Sequence, residues 1–137
     1  GLPIKLFATT ASKIFSVATS YVNDKLYLIV GGSDKLIRIY DVYSGLLLNI
    51  LSGHKNDIRS IAVSSDGKKI VSAGFDKLVF LWNLETGKKI KTFNGHKSGI
   101  YSVSISNNSK YIASAGIDKE IIVWDSTSGK IVNVLQG

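Results

Sequence analysis

A motif that recurs at one constant step constrains the fold of this chain more than any other feature of its sequence. Three segments, 30–35, 72–77 and 114–119, align with one another, and each ends in Asp-Lys. The aspartate, the aromatic residue that closes the next apolar run and a later glycine all recur at this step: Asp34, Asp76 and Asp118; Tyr40, Trp82 and Trp124; Gly45, Gly87 and Gly129. A repeat of roughly 40 residues is one supersecondary unit, which buries its apolar face only against neighbouring copies.

Each period divides into four runs of strand length. In the second copy these runs are 58–64, 69–73, 78–83 and 89–93, with turn-forming residues between them. The runs are rich in β-branched residues and show no helical periodicity, so they predict an all-β antiparallel protein.

The first copy is less regular than the other two. Its first strand aligns Ile14 with Ile58, which is a longer step than the one between the aspartates, and we expect the extra residues to lengthen the first turn at 21–25. The predicted units are 10–53, 54–95 and 96–137, and residues 3–8 match the fourth strand of a preceding or closing unit.

Several of the recurring motifs resemble those of the WD-repeat family of β-propellers. They are the Gly-His pairs at 53–54 and 95–96, the Ser-Ala-Gly-x-Asp-Lys turns and the closing Trp124-Asp125. The resemblance covers nearly the whole chain and implies four-stranded antiparallel blades around a central channel. Because such rings usually close with roughly four to eight blades, we expect three blades to form one arc of a larger propeller. The remaining blades would come from the same longer chain or from a second copy.

The resemblance also implies a hydrogen-bonded chain of buried side chains in each well-formed blade. Its members would be His54, Ser72, Asp76 and Trp82 in the second unit, and His96, Ser114, Asp118 and Trp124 in the third. The donors and acceptors of these groups can satisfy one another away from water. The first unit has Thr10, Val30 and Tyr40 at the corresponding places, so we expect it to be the least rigid unit or to be supported by neighbouring chain.

Serine, histidine and aspartate in one unit could also form a hydrolase triad. The structural interpretation is favoured because the set occurs twice and because neither Ser72 nor Ser114 lies in a Gly-x-Ser-x-Gly elbow. The two histidines are a full repeat apart, cysteine is absent, and Gly31-Gly32 lacks the Lys-Ser/Thr ending of a phosphate-binding loop. We therefore expect no catalytic residue, no metal and no cofactor.

Five residues are candidates for contact with a partner. Phe75 and Ile117 are large apolar residues in tight turns, and Phe15, Arg59 and Tyr101 occupy equivalent places near the start of the first strand of each unit. In the family that the chain resembles, these positions ring one face, which commonly docks partners. Aromatic and arginine side chains are typical of interface hot spots, although ordinary surface decoration is an equal alternative for any one of them.

The charge of the chain suggests a second class of partner. Seventeen basic residues against 10 acidic ones give a net charge of +7. Lys35, Lys77 and Lys119 recur after the turn aspartates and, with Lys13, Lys55 and Lys97, could make the same face basic. Solvated turn lysines are the default interpretation, and contact with RNA phosphates or an acidic surface is the alternative.

Together these features predict a non-catalytic interaction scaffold or adaptor subunit of a multi-protein complex, with other proteins as partners. The alternative is an RNA-associated component of a ribonucleoprotein assembly.

No apolar run is long enough to span a membrane, and the start of the chain lacks the layout of a signal peptide. With no cysteine to form disulfides, we expect an intracellular protein of the cytoplasm or nucleus.

Overall fold

The computed structural model describes residues 13–136, and twelve β-strands make up the regular structure of this range. The strands are β1 (Ile14–Val22), β2 (Lys25–Gly32), β3 (Ile37–Asp41), β4 (Leu47–Leu51), β5 (Ile58–Val63), β6 (Lys69–Gly74), β7 (Leu78–Asn83), β8 (Lys89–Asn94), β9 (Ile100–Ile105), β10 (Tyr111–Gly116), β11 (Glu120–Asp125) and β12 (Ile131–Gln136). The predicted strand at 3–8 and Thr10 lie outside the described residues, and the predicted unit boundaries stay a prediction.

The strands form three antiparallel sheets of four, in the orders β1-β2-β3-β4, β5-β6-β7-β8 and β9-β10-β11-β12. The predicted all-β class, with three four-stranded antiparallel blades, is confirmed. The first strands β1, β5 and β9 lie next to one another, while β4, β8 and β12 are the outer edges.

Antiparallel order sends alternate turns to opposite ends of the sheets. The second-to-third-strand turns and the links between blades form what we call the linker end (33–36, 52–57, 75–77, 95–99 and 117–119). The remaining turns form the hairpin end (23–24, 42–46, 64–68, 84–88, 106–110 and 126–130).

The hydrophobic core consists of two layers, one on each face of the second blade. One layer joins the first two blades, with Ile29, Ile37, Ile39 and Leu51 packed against Ile58, Ile61, Ile70, Phe80, Trp82 and Leu84. The other joins the second and third blades, with Val71, Ala73, Val79, Leu81 and Phe93 packed against Ile100, Val103, Ile112, Ile122 and Trp124. Each fully buried side chain of this kind contributes about 1.5–3 kcal/mol of transfer free energy, so packing between blades holds the arc together.

The first hairpin differs from the prediction. We expected a longer turn at 21–25, but the ladder continues through the pairs Tyr21↔Leu26 and Val22↔Lys25. The turn itself is the two residues Asn23 and Asp24, with φ of 53° and 60°. Two residues with positive φ suit the twist of a tight hairpin, so the extra residues lengthen both strands and leave the turn short.

A close backbone approach at the linker end explains the glycine of the repeated turn. A Cβ on Gly74 would overlap the carbonyl oxygen of Asp57, and one on Gly32 would overlap that of Lys13. The same Asp57 oxygen accepts a hydrogen bond from Phe75 N at 2.9 Å. This contact holds the turn that carries Phe75 against the start of β5.

Candidate functional site

The predicted polar chain is present in the second blade. Trp82 Nε1 donates to Ser72 Oγ at 2.8 Å, Ser72 Oγ lies 2.7 Å from His54 Nε2, and His54 Nδ1 lies 2.7 Å from Asp76 Oδ2. An indole N–H only donates and a carboxylate only accepts. A neutral imidazole satisfies the chain, with the Ser72 hydroxyl donating to Nε2 and Nδ1–H donating to Asp76.

The third blade repeats this arrangement. Trp124 Nε1 donates to Ser114 Oγ at 2.9 Å, which lies 2.7 Å from His96 Nε2. The distance from His96 Nδ1 to Asp118 Oδ2 is 3.3 Å, longer than in the second blade. The eight residues singled out in the sequence therefore form two matching sets of four.

The environment of Asp76 favours its charged form. Burial would raise the pKa of this carboxyl, but the hydrogen bond from His54 and those from the backbone N–H groups of Lys55 and Leu78 outweigh it, so the pKa is lowered. The pKa of Asp118 is lowered too: burial is again opposed, here by the N–H groups of Glu120 and Lys97 and by His96.

The geometry does not present a reactive serine. Ser72 and Ser114 are 0% and 1% exposed, and each Oγ is hydrogen-bonded both to an indole and to an imidazole. Because a nucleophile must reach its substrate, hydroxyls that are so buried and doubly hydrogen-bonded fit a structural role within each blade.

The first blade buries a different polar pair at this place. Arg38 Nη1 donates to Asp34 Oδ2, and both side chains are largely buried. Val30 and Tyr40, which replace the serine and tryptophan, are 6% and 4% exposed. We did not identify Arg38 from the sequence. The available signal was a scarce arginine four residues after the repeated aspartate, where the other blades have Phe80 and Ile122.

Four of the predicted contact residues meet at the linker end. The Arg59 guanidinium carbon lies 3.8 Å from the ring centroid of Phe15, 4.9 Å from that of Phe75 and 5.9 Å from that of Tyr101. Phe75 and Tyr101 also contact edge to face, with centroids 5.7 Å apart. One residue from each blade, together with a turn of the second blade, therefore forms a single cluster, which we call the arginine–aromatic cluster.

Ile117 extends this cluster toward the third blade. A Cβ on Gly99 would lie 2.8 Å from Phe75 Cδ1 and 3.2 Å from Ile117 Cδ1, so both side chains flank the same glycine. Tyr101 is 52% exposed and Ile117 is 48% exposed. Phe75 is only partly exposed and packs against its neighbours, so it has a structural role that we did not predict.

The recurring lysines are exposed but do not join the cluster. Lys35, Lys77 and Lys119 have φ of 70°, 73° and 65°, which places each at the left-handed residue of its turn. Lysines also occur at or beside the hairpin end, at Lys25, Lys68, Lys69, Lys88, Lys89, Lys110 and Lys130. Basic side chains are therefore spread over both ends and do not single out the predicted face.

The described residues also lack two other features. Within residues 13–136, no group of three or more His, Asp or Glu side chains could hold a metal ion. The same part of the chain contains no helix long and apolar enough to cross a membrane.

The chain is similar in sequence to a known repeat family and to several of its members. The family model described as "WD domain, G-beta repeat" matches residues 1–41, 45–83 and 87–125. The chain is 39% identical over 65 residues to a serine-threonine kinase receptor-associated protein of Gallus gallus, an alignment that covers 47% of this chain and 19% of that protein. It is 33% identical over 70 residues to transcription initiation factor TFIID subunit 5 of Caenorhabditis elegans, covering 51% of this chain and 10% of that protein.

Solved structures show the same fold. The structure of U3-55K superposes with a TM-score of 0.87 at 24% sequence identity, covering 95% of this chain and 41% of that one. The chain thus spans under half of this structural neighbour and a fifth or less of the two relatives.

Proposed function

Since the chain belongs to the WD-repeat family, whose model matches it in three copies, we propose that it is a non-catalytic scaffold that binds other proteins at its linker end. The observation that carries this proposal is the arginine–aromatic cluster, in which Arg59 lies over three rings drawn from all three blades.

The cluster has the composition and rigidity that protein recognition favours. Aromatic and arginine side chains dominate interface hot spots, and a guanidinium over ring faces is attracted by about 0.5–2 kcal/mol. Arg59 makes no ion pair with a carboxylate of residues 13–136. Its N–H groups are therefore available to a partner, and the order already imposed on its side chain lowers the entropy lost on binding.

The names of two relatives indicate that those proteins act as parts of multi-protein assemblies. One is a receptor-associated protein and the other is a subunit of a transcription initiation factor. We propose a comparable role for this chain, in the cytoplasm or nucleus, and localisation of a fluorescently tagged protein tests that placement.

The outer face of the third blade supports a further part of the proposal. Ile121 and Leu135 are 39% and 47% exposed, whereas Val79 and Phe93, their counterparts one repeat earlier, are buried against the third blade. Another blade, from the same longer chain or from a second copy, would cover this face as the third blade covers the second. The docking surface would then be one sector of a closed propeller.

The decisive experiment is affinity capture from cell extract with quantitative mass spectrometry. We expect the double variant Arg59→Ala, Tyr101→Ala to lose most captured proteins, because it removes both the guanidinium and an exposed ring. Tyr111→Ala is the matched control, since Tyr111 is 44% exposed and lies at the start of β10, away from the linker end. An unchanged partner set in the folded double variant would refute the proposal.

RNA binding is the second candidate, favoured by the net charge of +7. It predicts that affinity for a single-stranded RNA falls steeply with salt, because each neutralised phosphate releases counterions. It ranks below protein binding because the lysines are spread over both ends. RNA affinity that is absent at low salt, measured by fluorescence anisotropy, would remove this candidate.

A further inference from the structure

A cavity of about 350 Å³ lies at the hairpin end, between the first and second blades. One wall is the tip of the first hairpin, with Val22, Asn23 and Lys25. The opposite wall belongs to the second blade and includes Lys68 in a turn and Asn83 at the end of β7. It lies at the opposite end of the sheets from the arginine–aromatic cluster. The proposed docking function therefore does not use it.

The irregularity of the first repeat builds one wall of this cavity. Gly67 packs against the end of β1, since a Cβ there would lie 2.7 Å from Ser20 Oγ and 3.1 Å from Val22 Cβ. Ser20 Oγ also donates to the Gly67 carbonyl at 2.6 Å. The extra pair Val22↔Lys25 therefore places the end of the first hairpin beside the second blade's turn at 64–68.

The lining is rich in hydrogen-bond donors, and the carboxylates nearest its two lysines are Asp41 for Lys25 and Asp66 for Lys68. Lys25, Lys68 and Tyr27 make no side-chain hydrogen bond or ion pair with a described residue. Asn49 and Asn83 use their side-chain oxygens to accept from Ile50 N and Thr86 N, at 2.9 and 3.0 Å. Their amide NH₂ groups therefore remain as donors.

The charge and the apolar part of the lining define the complementary ligand. Two lysines against one acidic side chain, Glu85, leave one positive charge among the lining residues. Ile39 and Leu84, which are 1% and 5% exposed, supply buried aliphatic surface, and Leu48 adds more at 50% exposure. A donor-rich cavity with two lysines and an aliphatic wall suits a monoanion that carries acceptor oxygens and a branched alkyl group.

We propose that this cavity binds the C-terminal carboxylate of a partner chain whose last side chain is aliphatic. The carboxylate would lie between Lys25 and Lys68, the last backbone carbonyl would accept from an asparagine NH₂, and the side chain would contact Leu84 and Leu48. A volume of about 350 Å³ is at the lower end of the range of small-ligand sites, which matches one terminal residue and not a long peptide.

The junction between the second and third blades provides a matched comparison. There Ser65 Oγ donates to the Asn107 carbonyl at 2.6 Å, much as Ser20 Oγ donates to the Gly67 carbonyl at the first junction. Lys91 packs over Gly129 as its counterpart Asn49 packs over Gly87. The two junctions therefore differ in the side chain at this position and in the lengthened first hairpin. Lys110 is the counterpart of Lys68 in the next repeat, and makes a matched control.

The test is a titration of the isotope-labelled 137-residue chain with N-acetyl-L-leucine, followed by NMR. This probe carries a free carboxylate, an amide carbonyl and an aliphatic side chain, and N-acetyl-L-leucinamide is its neutral counterpart. We expect saturable shifts of the Asn49 and Asn83 side-chain amide signals at millimolar probe. The neutral probe should bind at least about tenfold more weakly, because it lacks the charge that pairs with the lysines.

Two variants make the result specific. Lys68→Gln should weaken binding at least about fivefold, whereas Lys110→Gln should leave it unchanged, since only Lys68 lines the cavity. Deleting Val22 and Lys25 together keeps the Asn23-Asp24 turn, removes the extra cross-strand pair and should abolish binding.

Three outcomes would overturn the proposal: no saturable shift up to about 20 mM probe, equal binding of the neutral probe, or equal loss in both lysine variants. The double variant at Arg59 and Tyr101 should bind the probe normally. Failure of this site and failure of the docking function are therefore separate results.

Discussion

The first and second blades provide different hydrogen-bond donors to the equivalent aspartates Asp34 and Asp76. In the second blade Asp76 ends a hydrogen-bonded chain through His54, Ser72 and Trp82. In the first blade Asp34 pairs with Arg38, which lies on the strand that follows its own turn. The long-range chain of one blade is thus replaced by a local ion pair in the other.

A local role of the aspartate is common to all three blades. Its Oδ1 accepts from the backbone N–H two residues later, at Leu36, Leu78 and Glu120, over 3.3, 3.3 and 3.1 Å. Such a bond stabilises the turn by itself. The aspartate therefore has the same role in all three turns through Oδ1. The donor to its other oxygen, Oδ2, differs between the blades.

The largest expected effect comes from breaking the ion pair of the first blade. Arg38→Met should destabilise the chain by about 3–5 kcal/mol, because it leaves a buried carboxylate without its counter-charge. Urea denaturation measures the loss, with Lys13→Met as a control at an exposed cation. Adding Asp34→Leu to Arg38→Met should recover most of the stability; if it recovers none, the pair is not what holds this blade.

The second-largest effect should come from breaking the hydrogen-bonded side-chain network of the second blade. Ser72→Ala should cost about 2–4 kcal/mol, because the Trp82 N–H and the His54 ring each lose a buried partner. The reciprocal change Val30→Ser places a hydroxyl in the first blade, which has no matching indole, and should bring no gain. A stabilised Val30→Ser protein in thermal unfolding would show that the two blades are more alike than their contacts indicate.

The dependence of stability on pH tests the role of the Asp76 carboxylate in the second blade. Its pKa is lowered in the folded protein, so its contribution is present above the unfolded value of about 3.9 and is lost as pH falls through the folded value. Asp76→Asn should therefore cost about 1–3 kcal/mol at pH 7, and the difference from the parent should shrink below about pH 4. Asp24→Asn, in an exposed turn, is the control; a difference that stays constant with pH would contradict the assignment.

The smallest effect should be the same in every blade. Lys35, Lys77 and Lys119 share a left-handed backbone conformation, which asparagine tolerates better than lysine does. Lys77→Asn and Lys35→Asn should each stabilise the chain by about 0.5 kcal/mol or less. Calorimetry that found unequal shifts would mean that the turns themselves differ, and the contrast between blades would extend beyond their buried partners.

Much of the fold could be predicted because it is encoded by local and repeated signals. The constant step of the repeat identified equivalent positions, and strand length and turn residues located the strands, of which β7 begins and ends as predicted. The buried sets around Ser72 and Ser114 followed from the resemblance of the motif. Each of these signals lies in the order of residues along the chain.

The wrong prediction for the first turn and the failure to identify Arg38 have a common physical cause. Whether Tyr21 and Val22 continue a strand or enter a turn depends on the cross-strand pairs they can make, and the spacing alone does not determine those pairs. Arg38 was missed because an arginine in a strand is ordinarily exposed, and only its neighbours show that it is buried.

The class of fold, the number of blades in this chain and the residue types at each repeated turn could be predicted from the order of residues alone, because they follow from periodicity and from the hydrogen-bonding capacity of each side chain. The contacts of the irregular positions, in contrast, depend on the packing of the blades. That packing brought Arg59 over Phe15, Phe75 and Tyr101, and it opened a cavity beside the lengthened hairpin. Both features join residues of different blades, and such contacts depend on how neighbouring sheets pack rather than on any pattern within one repeat.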